Sequence, residues 1–316
     1  MDKIMQDYLT GEWVFYASAR SKRPSHFNTE SDVFNDTKKN CPFCVQNGYL
    51  RDEYVYVSED KTISILKNKY PINSYEHAEN FGFHDVLIDT PNHDERLGFF
   101  SQSHVKSLFI TLRNRVKTLS EDEKIKYVQI FKNQGKLAGA SIYHSHFQIV
   151  ATPQILHKQK IIAENFKNYF EKNNSCYLCD EIKNLNDLNT LKIFENDFFV
   201  AYAPEVSPFA YGINIAPKFH ISDFRNFDDS HLQSLGDILQ TILKGYYKKF
   251  EVFDYNLCFQ SAPFESESGA KYSYNHFFLQ IVPRKSSMAG FELSTGSYIN
   301  SVDPFEFAEE FRRTYL

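Results

Sequence analysis

Residues 139–150 read Gly-Ala-Ser-Ile-Tyr-His-Ser-His-Phe-Gln-Ile-Val, and this run concentrates the chemistry of the chain. On an extended strand successive side chains alternate faces, so His144, His146 and Gln148 share one face while Ser145, Phe147 and Ile149 take the other. The second face is mainly apolar and packs. One histidine on a strand reads as a core residue, whereas two with a glutamine at spacing two read as a site. A rigidly held neutral imidazole can attack phosphorus, and a nearby amide can donate to a phosphoryl oxygen or to the leaving group. A histidine nucleophile splits one hard displacement into two easier ones and predicts ping-pong kinetics. Just upstream, Gly139, Ala140 and Ser141 supply small residues and a hydroxyl where phosphate oxygens can approach the backbone.

Four of the five cysteines form two C-x-x-C pairs, Cys41/Cys44 and Cys176/Cys179. Each pair is followed by two histidines at similar intervals, His93 and His144 in the first half and His220 and His276 in the second. Two thiolates and two imidazoles in a closed set of four describe a structural zinc site, so two zinc sites are expected. A redox reading needs a strand-to-helix turn at the pair, which neither pair has. With His144 tied to metal, the strand is pinned and His146 is the imidazole left to attack. Cys258, in the apolar run Tyr-Asn-Leu-Cys-Phe, reads as a small buried hydrophobe.

These residues need elements to position them. Strands are expected at 12–18, 84–90, 127–133 and 143–152, with a helix over 101–120. A polar helical stretch follows from 155 and ends near 170–175. The second half replays that order, with strands at 191–204, 211–221, 255–261 and 274–283 and an amphipathic helix over 228–250. The expected fold is α+β, a tandem duplication with a mainly antiparallel sheet and flanking helices, one zinc site per repeat. The copies are expected over 1–170, with the nucleophile, and 171–316, without one. Aligning the two strands on Gln-Ile-Val sets His276 opposite His144 and Phe278 opposite His146. The second copy therefore keeps the metal-ligand position and lacks the nucleophile.

Composition bounds the rest. The 316 residues suffice for one large or two medium domains, and a net charge of -5 argues against a general nucleic-acid binder. No run approaches the roughly 20 apolar residues that span a bilayer, and the N-terminus has no signal-type apolar core, so the expected location is cytoplasmic.

The strand His-Ser-His-Phe-Gln-Ile-Val, with CPFC at 41–44, PNH at 91–93 and FKNQGKLAGAS at 131–141, resembles the galactose-1-phosphate uridylyltransferase family of the histidine-triad (HIT) superfamily. The C-terminal run AGFELSTGSYINSVDP (289–304) is more similar to the ADP-glucose phosphorylase branch. The resemblance covers most of the chain and implies a tandem pair of HIT-like domains. It implies Cys41, Cys44, His93 and His144 as zinc ligands, His146 as the covalent nucleophile and Gln148 as its phosphate-binding partner. By the same resemblance Cys176, Cys179, His220 and His276 hold a second metal, zinc or iron. Asn133 and Ser141 match positions near the nucleotide phosphates, Arg20 and Arg23 match phosphate or nucleotide contacts, and Asn68 matches a turn near the nucleoside. Phe291 departs from the family, standing where uridylyltransferases carry a tyrosine that contacts the hexose. Ser145, where many relatives have proline, is expected to matter little.

The expected activity is nucleotidyl transfer or phosphorolysis. A nucleoside diphosphate sugar gives its nucleotidyl group to His146, then to phosphate or a sugar phosphate, without nucleic-acid or membrane partners and in a homodimer. A HIT-type nucleotide hydrolase and a non-catalytic zinc-stabilised nucleotide-binding protein are the alternatives.

Overall fold

The protein is described from a computed structural model that covers residues 2–17, 38–47, 54–188, 190–251, 253–264, 272–285 and 288–316. Two sheets organise it. The smaller joins β1 (Asp2–Gln6) to β2 (Trp13–Ala17), with β13 (Tyr298–Asn300) added in parallel.

The larger sheet has ten strands, antiparallel throughout among the described residues. Its first half contains β3 (Tyr54–Val57), β4 (Ser64–Lys67), β5 (Phe83–Ile88), β6 (Tyr127–Gln134) and β7 (His146–Thr152). Its second half contains β8 (Lys192–Glu195), β9 (Phe199–Tyr202), β10 (Ile213–Pro217), β11 (Tyr255–Gln260) and β12 (Phe278–Pro283). The spatial order β3-β4-β5-β7-β6-β11-β12-β10-β9-β8 reads as the same five-strand pattern from either end, meeting at the β6–β11 seam. That symmetry supports two units. The expected division between 170 and 171 falls within the residues of helix α2 (His157–Asn173).

One face of the sheet is the main core. Helices α1 (Gln102–Ser120) and α4 (Asp229–Phe250) carry apolar residues at helical spacing and press them onto it. Val105, Leu108, Leu112, Leu235, Ile238 and Ile242 there meet Phe147, Ile149, Leu257 and Leu279. Each helix starts at a side-chain cap, Ser101 accepting from the His104 amide and Asp228 from those of Ser230 and His231. The C-terminal helix (Pro304–Thr314) closes the α4 side by packing Phe311 on Tyr246, centroids 4.9 Å apart.

The opposite face differs between halves. In the second half, α2 and α3 (Tyr177–Leu188) set Ile162, Phe166, Leu178 and Ile182 over Val200, Tyr202, Ala216 and Phe278. In the first half the Cys41–Cys44 turn covers Leu66, Val86 and Ile88 instead. The face that buries Phe278 under helices in one half thus carries His146 beside a turn in the other.

Two strand expectations are corrected. Residues 191–204 are not one strand but the hairpin β8–β9, because the Asn196 carboxamide accepts from the Phe198 and Phe199 amides and turns the chain. The strands expected from 143 and 274 begin at His146 and Phe278, so His144 and His276 lie just before them. No helix among the described residues is long and apolar enough to cross a membrane.

Candidate functional site

The two expected metal sets are both assembled. The ligand atoms of Cys41, Cys44, His93 and His144 all lie within 4.8 Å of one another, as do those of Cys176, Cys179, His220 and His276. In the first set Nδ1 of His144 is 3.5 Å from Cys41 Sγ and 3.6 Å from Cys44 Sγ, and Nδ1 of His93 is 3.5 Å from Cys44 Sγ. In the second, Nδ1 of His276 is 3.6 Å from Cys176 Sγ and 3.5 Å from Cys179 Sγ, and Nδ1 of His220 is 3.6 Å from Cys179 Sγ. Bonds of about 2.3 Å to sulfur and about 2.05 Å to nitrogen at a tetrahedral angle separate the donors by about 3.5 Å. The donors therefore fit one tetrahedral ion per cluster.

The far nitrogens fix the rings. A carbonyl can only accept, so Nε2–H of His144 donates to Thr90 O at 2.7 Å, that of His276 to Pro217 O at 3.0 Å and that of His220 to Ser273 O at 2.7 Å. Each leaves Nδ1 with its lone pair toward the cysteines, the arrangement a metal-bound histidine needs.

His146 shows the opposite tautomer. Its Nδ1–H donates to the His144 carbonyl at 2.8 Å, so Nε2 carries the lone pair. Burial first, then the Lys132 ammonium, push its pKa down to about 4, which keeps the ring neutral near pH 7. Phe43, between the two cysteines of the turn, meets this ring edge-on with centroids 5.1 Å apart. The Cys41–Cys44 turn and the His144 backbone together hold the imidazole.

Gln148 belongs to a chain of contacts that the sequence did not reveal. The Ile72 amide donates to Nδ1 of His84 at 3.1 Å, so the neutral ring is protonated at Nε2 and donates to Gln148 Oε1 at 2.9 Å. With its oxygen taken, Gln148 offers its NH2 end. Asn68 lies against the same ring, Nδ2 3.1 Å from Nε2, while its Oδ1 accepts from the Tyr70 amide at 2.8 Å. Both atoms are donors, so they make no hydrogen bond to each other and the Asn68 NH2 group remains available to another acceptor. Burial lowers the pKa of His84 and favours this neutral tautomer.

The other expected residues divide. Asn133 Oδ1 accepts from Asn256 Nδ2 at 2.8 Å across the seam between the halves. Ser141 is exposed on the connection between β6 and β7, and no hydrogen bond joins it to His146 or Gln148 among the described residues. Arg20 and Arg23 lie outside the described residues. Cys258, expected in the core, is half-buried and lines a cavity of about 340 Å³ with Phe131, Asn256, Gln280, Lys158 and Arg284. Alternation aims it away from the core face that Leu257 and Phe259 fill. Since Phe131 pairs with both Gln148 and Cys258, the cavity adjoins the Gln148 strand.

Sequence reasoning missed His84, Phe43, Lys132 and Asp89. A histidine heading the apolar run His-Asp-Val-Leu-Ile was the only signal for the first, and a lysine within β6 the only one for the third.

Family models described as "Domain of unknown function (DUF4931) N-terminal domain" and "Domain of unknown function (DUF4921)" match residues 25–155 and 97–314. ADP-glucose phosphorylase of Arabidopsis thaliana is 32% identical, the alignment covering 99% of this chain and 93% of that protein. Galactose-1-phosphate uridylyltransferase of Thermotoga maritima is 28% identical, with 99% of each covered. Among solved structures, an Arabidopsis thaliana ADP-glucose phosphorylase with bound ADP-glucose superposes with a TM-score of 0.89 at 31% identity, covering 100% of both chains.

Proposed function

The chain belongs to the family of ADP-glucose phosphorylase and galactose-1-phosphate uridylyltransferase, and from that premise we propose that it is a nucleotidyltransferase acting on a nucleoside diphosphate sugar through His146. The observation that carries the proposal is the tautomer of His146, whose Nδ1–H is held by the His144 carbonyl and whose Nε2 is free to attack.

The reaction takes two displacements. In the first, the Nε2 lone pair forms a bond to the α-phosphorus and the bond from phosphorus to the bridging oxygen breaks. The electron pair leaves with the sugar 1-phosphate. In the second, an oxygen of phosphate or of a sugar phosphate attacks the same phosphorus, and the phosphorus–nitrogen pair returns to Nε2. The Gln148 NH2 donates to a non-bridging oxygen as its charge develops. Asn68 donates toward the nucleoside side, and Arg20, Arg23, Asn133 and Ser141 are proposed nucleotide and phosphate contacts by family resemblance. The acceptor is proposed for the cavity beyond Phe131, where second-half residues Gln280 and Arg284 contribute.

The cluster geometry and its thiolate–imidazole donors support zinc at both sites. Zinc there would anchor the strand entry at His144 and, in the second copy, the entry at His276, without touching substrate. Thiolates for two such sites require reduced cysteines, which supports a reducing compartment such as the cytoplasm. A homodimer is proposed on family resemblance alone. Adenine is favoured over uracil as the base, because the identity to ADP-glucose phosphorylase, 32%, exceeds the 28% to the uridylyltransferase.

Product analysis tests the reading. ADP-glucose with inorganic phosphate should give ADP and glucose 1-phosphate, with turnover requiring the phosphate. AMP released at the same rate without phosphate would identify a hydrolase instead. His84→Ala should lower kcat about fivefold with zinc content unchanged, since one orienting hydrogen bond to Gln148 is worth about 1 kcal/mol. A wild-type kcat in that variant would remove His84 from the account.

A further inference from the structure

Beneath the His146 strand, on the core face of the sheet, lies an ion pair with no access to water. Lys132 and Asp89 side chains are both 0% exposed, with Nζ 2.8 Å from Asp89 Oδ2. The ammonium also donates to Ser145 Oγ at 2.7 Å and to the His146 carbonyl at 3.1 Å, so each of its three protons has an acceptor. Ser145 Oγ in turn donates to Asp89 Oδ2 at 3.1 Å.

Stability is a poor explanation for this group. A buried ion pair can usually be replaced by apolar side chains at no loss, because desolvation offsets the attraction. Here the pair is also incomplete, since Asp89 Oδ1 is buried without a hydrogen-bond partner. What the arrangement does secure is the backbone of residues 144–146. The β6–β7 ladder ends at Phe131↔Gln148, short of His146, and beyond that point the Lys132 side chain reaches the His146 carbonyl. Asp89 is the first residue after β5, and its neighbour Thr90 holds the His144 ring through its carbonyl. The Asp89 carbonyl is itself held by His104 Nε2 at 2.6 Å. One short segment, 89–90, therefore braces both histidines, His144 through its ring and His146 through Lys132.

We propose that Lys132, with Asp89 and Ser145, is a positioning group that fixes the His146 backbone and so aims Nε2 at phosphorus. Lys132 touches no substrate and acts only through the segment it braces. The inference rests on the transferase reading and assigns Ser145, where the chain departs from many relatives, a part in positioning the nucleophile. Displacement at phosphorus needs Nε2 in line with the departing oxygen, and a misplacement of about 1 Å can cost about 100-fold.

The test is the double variant Asp89→Leu/Lys132→Met beside Lys132→Met, Ser145→Ala and wild type. Lys132→Met alone should melt lower, because it leaves a buried carboxylate unpaired. The double variant should regain wild-type melting and zinc content. At saturating ADP-glucose it should nevertheless form the nucleotidyl adduct at least tenfold more slowly, with the donor KM within about twofold of wild type. A purely structural pair would recover rate along with stability, so a double variant that folds and reacts at the wild-type rate overturns the proposal. If the double variant does not fold, Ser145→Ala decides, with adduct formation slowed about threefold expected and an unchanged rate contradicting it. A wild-type protein that forms no adduct with ADP-glucose, UDP-glucose or UDP-galactose defeats the transferase reading instead. Hydrogen exchange of residues 143–148 then judges the bracing, faster exchange in the double variant supporting it and identical exchange overturning it.

Discussion

His146→Ala is expected to bind metal at both clusters, to melt close to the wild type and to lose nucleotidyl transfer by about 10⁴-fold or more. The first two expectations follow from what the ring touches. It bonds to the His144 carbonyl and meets the edge of Phe43, and neither contact joins it to a metal ligand atom or to the main core. The large activity loss follows because no other imidazole can replace it. His144 directs Nδ1 at the cysteines and gives its Nε2 proton to Thr90, and His84 gives its Nε2 proton to Gln148. The second copy offers no substitute, since Phe278 opens its strand and is buried under α2 and α3. Turnover that survives in His146→Ala would end the nucleophile assignment. A sharper version uses His146→Gly with a nucleotidyl-imidazole donor, which enters at the second half-reaction and should restore product.

The second large effect is structural. Cys41→Ser should leave about one metal ion per chain, lower the melting temperature by many degrees and abolish activity. Binding free energy at sites of this kind is about 10–16 kcal/mol in small zinc domains and appears as folding free energy. Losing one of the four ligands, a thiolate, removes a large part of it. Activity falls with stability because the same turn carries Phe43 onto His146 and because His144, a ligand, supplies the carbonyl that sets the nucleophile's tautomer. Zinc analysis and thermal melting check this together. Full metal content and an unchanged melting temperature would remove Cys41 from the ligand set.

Much of this was legible in the sequence, for reasons that can be named. Metal ligation demands particular residue types, so two C-x-x-C pairs with repeated histidines pointed to two clusters before any geometry was available. Long amphipathic helices announce themselves over many residues, and 101–120 and 228–250 became α1 and α4 almost unchanged. Alternation from His146 onward correctly put Phe147 and Ile149 in the core and His146 and Gln148 opposite. His144 lies just before the strand, and its ring meets Phe43 as the His146 ring does, while Ser145 turns to Lys132 on the core side.

The positioning residues were hidden for a different reason. His84, Asp89 and Lys132 reach Gln148, Ser145 and His146 through contacts between strands that are distant in sequence, and a single chain read linearly carries no signal of such pairing. Cys258 sits in a run that looks apolar, yet strand alternation sends it to the cavity side. The Asn196 turn was likewise overlooked within an apolar stretch, where one asparagine divides a strand into a hairpin.

Intact-protein mass spectrometry after separate incubation with ADP-glucose, UDP-glucose and UDP-galactose tests the central claim most directly. The account predicts a mass gain equal to one nucleotidyl group, expected as AMP from ADP-glucose, absent in His146→Ala and discharged when phosphate is added. A folded, metal-replete wild-type protein that gains no mass from any of the three, or that gains it equally without His146, would contradict it.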